Sequence, residues 1–157
     1  MFGTMPVLHK LIDSEWPNSK GLFSHNQAFT ALQNGKIIGL LIGHTEQEYA
    51  ANFDHSVIHQ PAALEGDEAK HMETALYWMD RLFPEPRPKS YYILEFAVSP
   101  AAQGKGVAGD LFRAALKRAR AKGCAHICLD VAANNTAVGF YQHLGFVTEI
   151  ETRVPAL

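Results

Sequence analysis

The sequence predicts a mixed α/β domain, because helical and strand patterns alternate along its 157 residues. Apolar residues recur at helical spacing in residues 67–83 and again in residues 107–122. The stretches "YYILEFAVS" and "CAHICLDVA" are rich in aromatic and β-branched residues, which favour strands. With 47% hydrophobic residues the chain is long enough to bury a core, so we expect one domain spanning residues 1–157.

The remaining elements follow from local signals along the chain. Residues 6–14 carry apolar side chains at helical spacing, with Pro6 suited to a first turn. Asn34-Gly35 separates two apolar runs, a pattern typical of a β-hairpin. Residues 44–65 show no clear period, and we expect a loop there with at most a short helix. "PEPRP" ends the helix at 67–83, "TAVGFYQHL" predicts a short helix ended by Gly145, and "FVTEIETRV" predicts a last strand.

Composition excludes several classes of function. The formal net charge is -2 and basic residues form no face, so we expect no nucleic-acid partner. No apolar run approaches the ~20 residues that span a bilayer, and the N-terminus lacks a signal-peptide pattern. Cys124 and Cys128 are the only cysteines, and four residues of strand would separate them by ~13 Å. We therefore expect neither a disulfide nor a metal site, and a reducing cytoplasm is the default location.

The stretch "QGKGVAGD" contains three glycines that three kinds of phosphate loop could explain. A P-loop requires Ser or Thr after its lysine, whereas Lys105 is followed by Gly106. Gly104, Gly106 and Gly109 do spell the dinucleotide pattern G-x-G-x-x-G, with Asp130 near the expected acidic position. However, five residues separate the predicted strand end at Val98 from the first glycine. That gap is too long for the tight turn, so Asp130 is better explained as an ordinary strand residue.

The third explanation is a loop that binds a pyrophosphate at a helix start. A strand, a short loop and a helix N-terminus bring several main-chain N–H groups around one point, and the helix dipole favours negative charge there. Glycines leave room for the phosphate to approach the backbone. Such a loop suits the pyrophosphate of coenzyme A as well as that of a nucleotide.

Two motifs in order then resemble a known family. "LEFAVSPAAQGKGVAGDLF" is similar to the acyl-CoA-binding motif [QR]-x-x-G-x-[GA] of the GNAT superfamily of N-acyltransferases, which follows a strand ending in V-x-P. "NNTAVGFYQHLGF" is similar to the family's N-x-x-A-x-x-F-Y-x-x-x-G-F. The matching residues are Val98, Pro100, Gln103, Gly104, Gly106 and Ala108 in the first motif, and Asn134, Ala137, Phe140, Tyr141, Gly145 and Phe146 in the second. Together the motifs span roughly the C-terminal third of the chain.

The resemblance implies a fold with a central, mostly antiparallel mixed sheet flanked by helices. Its fourth and fifth strands should separate to admit the pantetheine arm of CoA as a pseudo-strand. The hairpin at Asn34-Gly35 fits the family's second and third strands. Few residues precede the helix at Pro6, so the usual first strand is abbreviated, missing or supplied in another way. The sheet edge left by a short first strand would be compatible with a homodimer.

The resemblance also implies an activity, the transfer of an acetyl group from acetyl-CoA to a primary amine by direct attack in a ternary complex. Only about one alkyl amine in a thousand is neutral near pH 7, so a proton acceptor is useful. Glu95 occupies the expected position for it; the alternative is a strand carboxylate that faces solvent or pairs with a base. His55, His59 and His71 are weaker candidates for binding the acceptor.

Further roles follow from family position. The Val98 N–H would stabilise the oxyanion of the tetrahedral intermediate, and the Tyr141 hydroxyl would protonate the departing thiolate. Asn134 would touch the pantetheine arm, cap the helix that follows, or do both. The predicted contacts to CoA are Phe96, Ala97, Val98, Gln103, Gly104, Lys105, Gly106, Val107, Ala108, Gly109, Asn134, Phe140 and Tyr141. Phe140 also suits a place in the core.

Two other functions stay open from the sequence. A non-catalytic acyl-CoA sensor would not need Tyr141 and Glu95, which argue against it. A nicotinamide-dependent oxidoreductase is the remote alternative. The acceptor could be a small-molecule or peptide amine, and the acidic Glu46, Glu48 and Asp54 are a weak indication that it is cationic.

Overall fold

The protein contains a central four-stranded mixed sheet. The computed structural model describes residues 5–153. The strand order is β1-β2-β3-β4; β1 and β3 run antiparallel to β2, and β4 runs parallel to β3. The strands are β1 (Ala28–Gln33), β2 (Lys36–Thr45), β3 (Ser90–Val98) and β4 (His126–Cys128). The helices are α1 (Met5–Glu15), α2 (Glu46–Ala62), α3 (Gly66–Leu82), α4 (Val107–Ala121) and α5 (Val138–His143). This mostly antiparallel sheet with flanking helices confirms the predicted fold class.

The β1–β2 hairpin forms where Asn34-Gly35 predicts it. Asn34 has φ 51° and Gly35 has φ 75°. Positive φ at both central residues is the requirement of a type I′ turn, whose twist matches that of the flanking strands. The hairpin prediction is therefore confirmed.

Helix α4 covers one face of the sheet and encloses the larger core. Its buried residues pack with Leu41 of β2 and with Tyr91 and Ile93 of β3. The α4 residues in this core are Leu111, Phe112, Ala115 and Ala119. A Cβ on Gly43 would lie 2.4 Å from the Tyr91 ring, so the absence of a side chain there allows the ring to lie against β2.

Helices α1, α2 and α3 form a second layer on the opposite face. His44 lies three residues beyond Leu41, so its side chain leaves β2 on the other side, where it contacts Asn52 of α2. A smaller apolar cluster joins α1 to α3 through Val7, Leu11, Leu64, Met72 and Leu76. Helix α3 confirms the helix predicted over residues 67–83.

The loop predicted over residues 44–65 is wrong, because most of that segment is the 17-residue helix α2. Thr45 and Glu48 form a capping box at its start, a local signal that the sequence did contain. Its buried residues are Asn52, Ser56 and Gln60, which are polar and four residues apart. Hydrophobic periodicity cannot reveal a helix whose buried stripe is polar.

The polar stripe of α2 holds the segment that leads into β1. Asn52 Oδ1 accepts a hydrogen bond from the Gly21 N–H at 3.0 Å, and Ser56 Oγ accepts one from the Leu22 N–H at 2.9 Å. His44 Nε2 lies 3.1 Å from the Leu22 carbonyl oxygen. These side chains supply partners that a buried irregular backbone would otherwise lack.

The C-terminal part contains less sheet than the sequence predicts. The strand predicted from "CAHICLDVA" is limited to the three residues of β4. The last strand is wrong for residues 146–153, which form no ladder, while residue 154 lies outside the described range. Val147 and Ile150 are 78% and 63% exposed, so the segment does not bury the apolar face that a strand of the sheet would.

Two other expectations concern the chain start and the membrane. The described chain begins in α1, so an abbreviated strand within residues 1–4 lies outside the described residues. None of the helices within residues 5–153 combines the length and apolar composition needed to cross a bilayer.

Helix α5 confirms the predicted short helix, and Gly145 follows it with φ 90°.

Because His44 is buried, we expect the free energy of unfolding to fall in acid. Burial lowers its pKa from 6.5 to about 4, so the unfolded chain binds a proton at a pH where the folded chain does not. The free energy of unfolding should therefore fall by about 3 kcal/mol between pH 7 and pH 4 on account of this group. Urea titrations of the wild type and of His44→Gln across this range would measure it. A pH dependence equal in both proteins would contradict the assignment.

Candidate active site

The candidate site lies at the open edge of β3. Only Ser90, Tyr91 and Tyr92 pair with β4, whereas β3 continues to Val98. Beyond Tyr92 the edge that faces away from β2 has no paired strand among the described residues. Because β4 ends at Cys128, the remaining edge of β3 is open to an added strand, as a sheet that admits a pseudo-strand requires.

The main-chain groups of Val98 point into this opening. The Ser99 N–H donates to the Ile38 carbonyl oxygen at 2.9 Å and so points toward β2. Successive residues of a strand direct their N–H groups to opposite sides, so the Val98 N–H points toward the open edge. The Val98 carbonyl oxygen accepts a hydrogen bond from Gln103 Nε2 at 3.2 Å, which ties the glycine-rich loop to the strand end.

A register shift sets the direction of Glu95. Ile42 lies opposite Glu95, but the next residue, Gly43, lies opposite Ile93, so Leu94 is an extra residue in β3. Tyr92 lies opposite His44, two residues beyond Ile42. Glu95 therefore leaves the sheet on the same face as Tyr92, although the two residues are three positions apart in the sequence.

Glu95 and Tyr141 lie near enough to each other for the charge of Glu95 to act on the Tyr141 hydroxyl. Desolvation by surrounding protein raises the pKa of Glu95, and this carboxylate forms no ion pair with another described residue. Burial raises the pKa of Tyr141, and the nearby negative charge of Glu95 raises it further. The Tyr141 ring lies 6.5 Å from Phe96 and 5.5 Å from Phe140, centroid to centroid. Phe140 in turn lies 5.9 Å from Phe96, so these rings fix α5 against β3.

The glycine-rich loop leaves several N–H groups free at the start of α4. Gly104 and Gly106 have φ of 72° and 84°, and nothing would lie within 4 Å of a Cβ on either. Gly106 is the N-cap of α4. The N–H groups of residues 104–109 have no hydrogen bond to another part of the chain that the structure describes. Lys105 is exposed beside them, so the loop can accept an anion from solvent.

Asn134 does not cap α5, which was one of the two roles expected for it. Ala137 is the N-cap residue of α5, and no side chain caps that helix. Asn135 Oδ1 accepts a hydrogen bond from the Ala137 N–H at 2.8 Å within the turn before α5. Asn134 is exposed in the same turn between β4 and α5, where it can still border a ligand.

The histidine candidates lie on the helical layer rather than on β3. His55 and His59 stack on each other on α2 with ring centroids 3.8 Å apart, and His71 lies on α3. Asp130, expected to be an ordinary strand residue, follows β4 and accepts a hydrogen bond from the Tyr92 hydroxyl at 2.9 Å. The sequence did not indicate this contact, because Tyr92 and Asp130 meet only through the pairing of β3 with β4.

A model of a known protein family matches most of this chain. Residues 6–146 match the model of the Acetyltransferase (GNAT) family. The chain belongs to this family. As a GNAT protein it is an acyltransferase, and the resemblance inferred from its two motifs is confirmed. No group of three or more His, Cys, Asp or Glu side chains that could hold a metal occurs among residues 5–153.

Solved structures similar to this GNAT protein are acetyltransferases and related proteins. An N-acetyltransferase from Staphylococcus aureus Mu50 is 17% identical, with a TM-score of 0.71 over 96% of this chain and 77% of that one. The aminoglycoside N-acetyltransferase AAC(6')-Iy, in complex with the bisubstrate analogue CoA-S-monomethyl-acetylneamine, is 17% identical, with a TM-score of 0.55 over 98% and 92%. An integron cassette protein from V. cholerae is 18% identical, with a TM-score of 0.52 over 88% and 67%. The search of curated proteins gave no match.

Substitution in the loop of this GNAT protein tests what it binds. Gly106→Asp should weaken acetyl-CoA binding at least about tenfold, because a carboxylate would stand where the loop accepts an anion. Gly35→Asp is the matched control, since Gly35 also has positive φ and open space around its Cβ. Calorimetric titration with acetyl-CoA, CoA and NADH would measure this. Equal affinities in both variants, or binding of NADH alone, would contradict the loop assignment.

Proposed function

We propose that the protein is an N-acetyltransferase that moves the acetyl group of acetyl-CoA to a primary amine by direct attack in a ternary complex. The observation that carries this proposal is the open edge of β3 beyond Tyr92, toward which the Val98 N–H points and near which Glu95 and Tyr141 lie. One group can accept a proton and the other can donate one, and the Val98 N–H points toward the same opening. The bisubstrate analogue in AAC(6')-Iy, which joins CoA to acetylneamine, supports a CoA donor and an amine acceptor.

Acetyl-CoA would lie along the open edge of β3. Its pantetheine amides would pair with the main chain of Phe96 and Val98, whose groups point to the open edge, and would pass beside Ala97 between them. Its pyrophosphate would accept hydrogen bonds from the N–H groups of residues 104–109, with Gln103 and Lys105 beside them. The predicted loop contacts are Gly104, Gly106, Val107, Ala108 and Gly109. Asn134, Phe140 and Tyr141 would border the other side of the arm.

The reaction then needs three groups of this chain. Glu95 takes the proton of the amine, directly or through a water, and its raised pKa brings it closer to neutral pH, where a general base is effective. The amine nitrogen bonds to the thioester carbon, and the oxyanion that forms accepts a hydrogen bond from the Val98 N–H. The carbon–sulfur bond breaks, and the Tyr141 hydroxyl gives its proton to the CoA sulfur.

The proposal also covers the extent of the catalytic domain and the cofactors of the reaction. We take residues 1–157 as one catalytic domain in which acetyl-CoA is a co-substrate and no metal takes part. A cytoplasmic location and a homodimer stay predictions from the sequence.

The pH profile tests the role of Glu95. A general base must be ionised, so kcat should fall as the pH drops through a pKa that lies above the ordinary value of 4.5. Glu95→Gln should lower kcat by about 10²- to 10⁴-fold and remove this acidic limb. Steady-state rates of CoA release between pH 5 and pH 9 would measure both effects. Glu85→Gln, at an exposed position, serves as the control; an acidic limb unchanged in Glu95→Gln would exclude Glu95 as the base.

Removal of a single hydroxyl tests Tyr141. Tyr141→Phe keeps the ring contacts with Phe96 and Phe140 but removes the proton donor, so turnover should fall by about 10²-fold while CoA affinity stays nearly unchanged. Initial rates and calorimetry with CoA on the same preparations would separate the two effects. Undiminished turnover would exclude the acid role, and a parallel loss of CoA affinity would indicate a structural one.

A further inference from the structure

A hydrogen bond joins β3 to the chain that follows β4, just beyond the point where the two strands stop pairing. The last pair of the ladder is Tyr92 opposite Cys128, where β4 ends. The Tyr92 hydroxyl donates to Asp130 Oδ2 at 2.9 Å. Among the described residues, no other hydrogen bond joins β3 to residues 130–137, which lead to α5. The Tyr92 hydroxyl therefore bridges the two chains where the ladder no longer does.

Tyr92 is a rigid donor for this bond. The residue is 8% exposed, and its ring meets the Tyr49 ring of α2 edge-on at 4.8 Å, centroid to centroid. A tyrosine side chain has only two χ angles, so packing that fixes the ring also fixes the direction of its hydroxyl. Asp130, by contrast, is exposed. A buried ring thus holds an exposed carboxylate in one position.

The segment 130–137 forms the far side of the opening in which the pantetheine arm would lie. Residues 94–98 of β3 form the near side. At its far end the segment runs into α5, whose rings contact Phe96. Residues 131–136 are all exposed, so no core packing defines their position. The bond to Asp130 is therefore the attachment that holds the segment at the base of the opening.

This attachment matters for ligand binding because of how populations affect affinity. A site that is formed in only a fraction of the molecules binds with an affinity reduced by that fraction. Without the Tyr92 hydroxyl, residues 130–137 could also take positions that narrow the opening, since the unpaired main-chain groups of β3 offer them partners. With Asp130 held, the opening is formed before a ligand arrives.

We propose that Tyr92 is a positioning residue for coenzyme A, which acts through Asp130 to hold the far side of the opening in its binding-competent position. This inference rests on the proposed function and concerns its donor site. Neither residue belongs to the two motifs that predict contacts to CoA. Neither residue transfers a proton in the proposed reaction.

Removal of the hydroxyl tests the role of Tyr92. Tyr92→Phe keeps the ring that contacts Tyr49 and removes the donor. It should raise the Kd of CoA and the KM of acetyl-CoA about tenfold, while kcat at saturating acetyl-CoA stays within about twofold of the wild type. Calorimetry with CoA and initial rates on the same preparations would measure these values. Tyr77→Phe is the matched control, because Tyr77 lies on α3 and is 52% exposed; it should behave like the wild type.

Substitution of Asp130 separates the hydrogen bond from the charge. Asp130→Ala removes the acceptor and should raise the Kd of CoA about tenfold, whereas Asp130→Asn keeps an accepting oxygen and should stay within about threefold of the wild type. Tyr92→Phe combined with Asp130→Ala should lose no more than about tenfold, because both changes remove the same contact. A general loss of stability would give neither this rescue nor this lack of additivity. Because Asp130 is exposed, its two variants test the inference even if Tyr92→Phe does not fold.

The outcomes separate failure of this inference from failure of the proposed function. Undiminished CoA affinity in Tyr92→Phe or Asp130→Ala, additive losses in the double variant, or an Asp130→Asn variant as weak as Asp130→Ala would each overturn it and leave the acetyltransferase function standing. A fall in kcat at unchanged CoA affinity would place the pair in the chemistry and also overturn it. If CoA binds but no amine is acetylated, the proposed function fails and the CoA affinities alone decide the role of the pair. Absence of CoA binding by the wild type would overturn both.

Discussion

The extra residue in β3 is the constraint on which the candidate site depends. On the N-terminal side of the shift, Tyr91 and Ile93 pack against α4; on the C-terminal side, Phe96 and Val98 do so. If the strand alternated without interruption from Ile93, Glu95 would also face α4, and a carboxylate would be buried in an apolar core at a cost of several kcal/mol. The shift turns Glu95 toward the helical layer. It thereby preserves the core and leaves Glu95 free for the proposed role of proton acceptor.

Buried polar contacts tie the helical layer to the segment before β1 and to β2. Asn52 and Ser56 bind the main chain of Gly21 and Leu22, and His44 binds the same segment from β2. Hydrogen bonds have narrow geometric tolerance, so they fix α2 at one rotation and one height above the sheet. That fixed position brings Tyr49 against Tyr92.

Local signals made part of this structure predictable from the sequence. The hairpin, β3 and α4 each carry their own pattern, and the two family motifs place Glu95, Tyr141 and the glycine-rich loop without any knowledge of packing. Helix α2 was missed because its buried stripe is polar, and the strand over 146–153 was expected although no described strand pairs with it. The register shift depends on the pairing of β2 with β3, two segments far apart in the sequence, so no single stretch encodes it.

The short pairing of β3 with β4 has a consequence for the order in which substrates bind. Only three residue pairs join β4 to β3. Beyond them, the contacts of Phe140 and Tyr141 with Phe96 hold α5 against β3. A pantetheine arm in the opening would act as a missing strand, adding main-chain hydrogen bonds on the side where Tyr141 approaches Glu95. The reacting thioester would then form one wall of the place where the amine is deprotonated. An enzyme built in this way favours an ordered sequence, in which the donor completes the sheet before the acceptor finds a finished site.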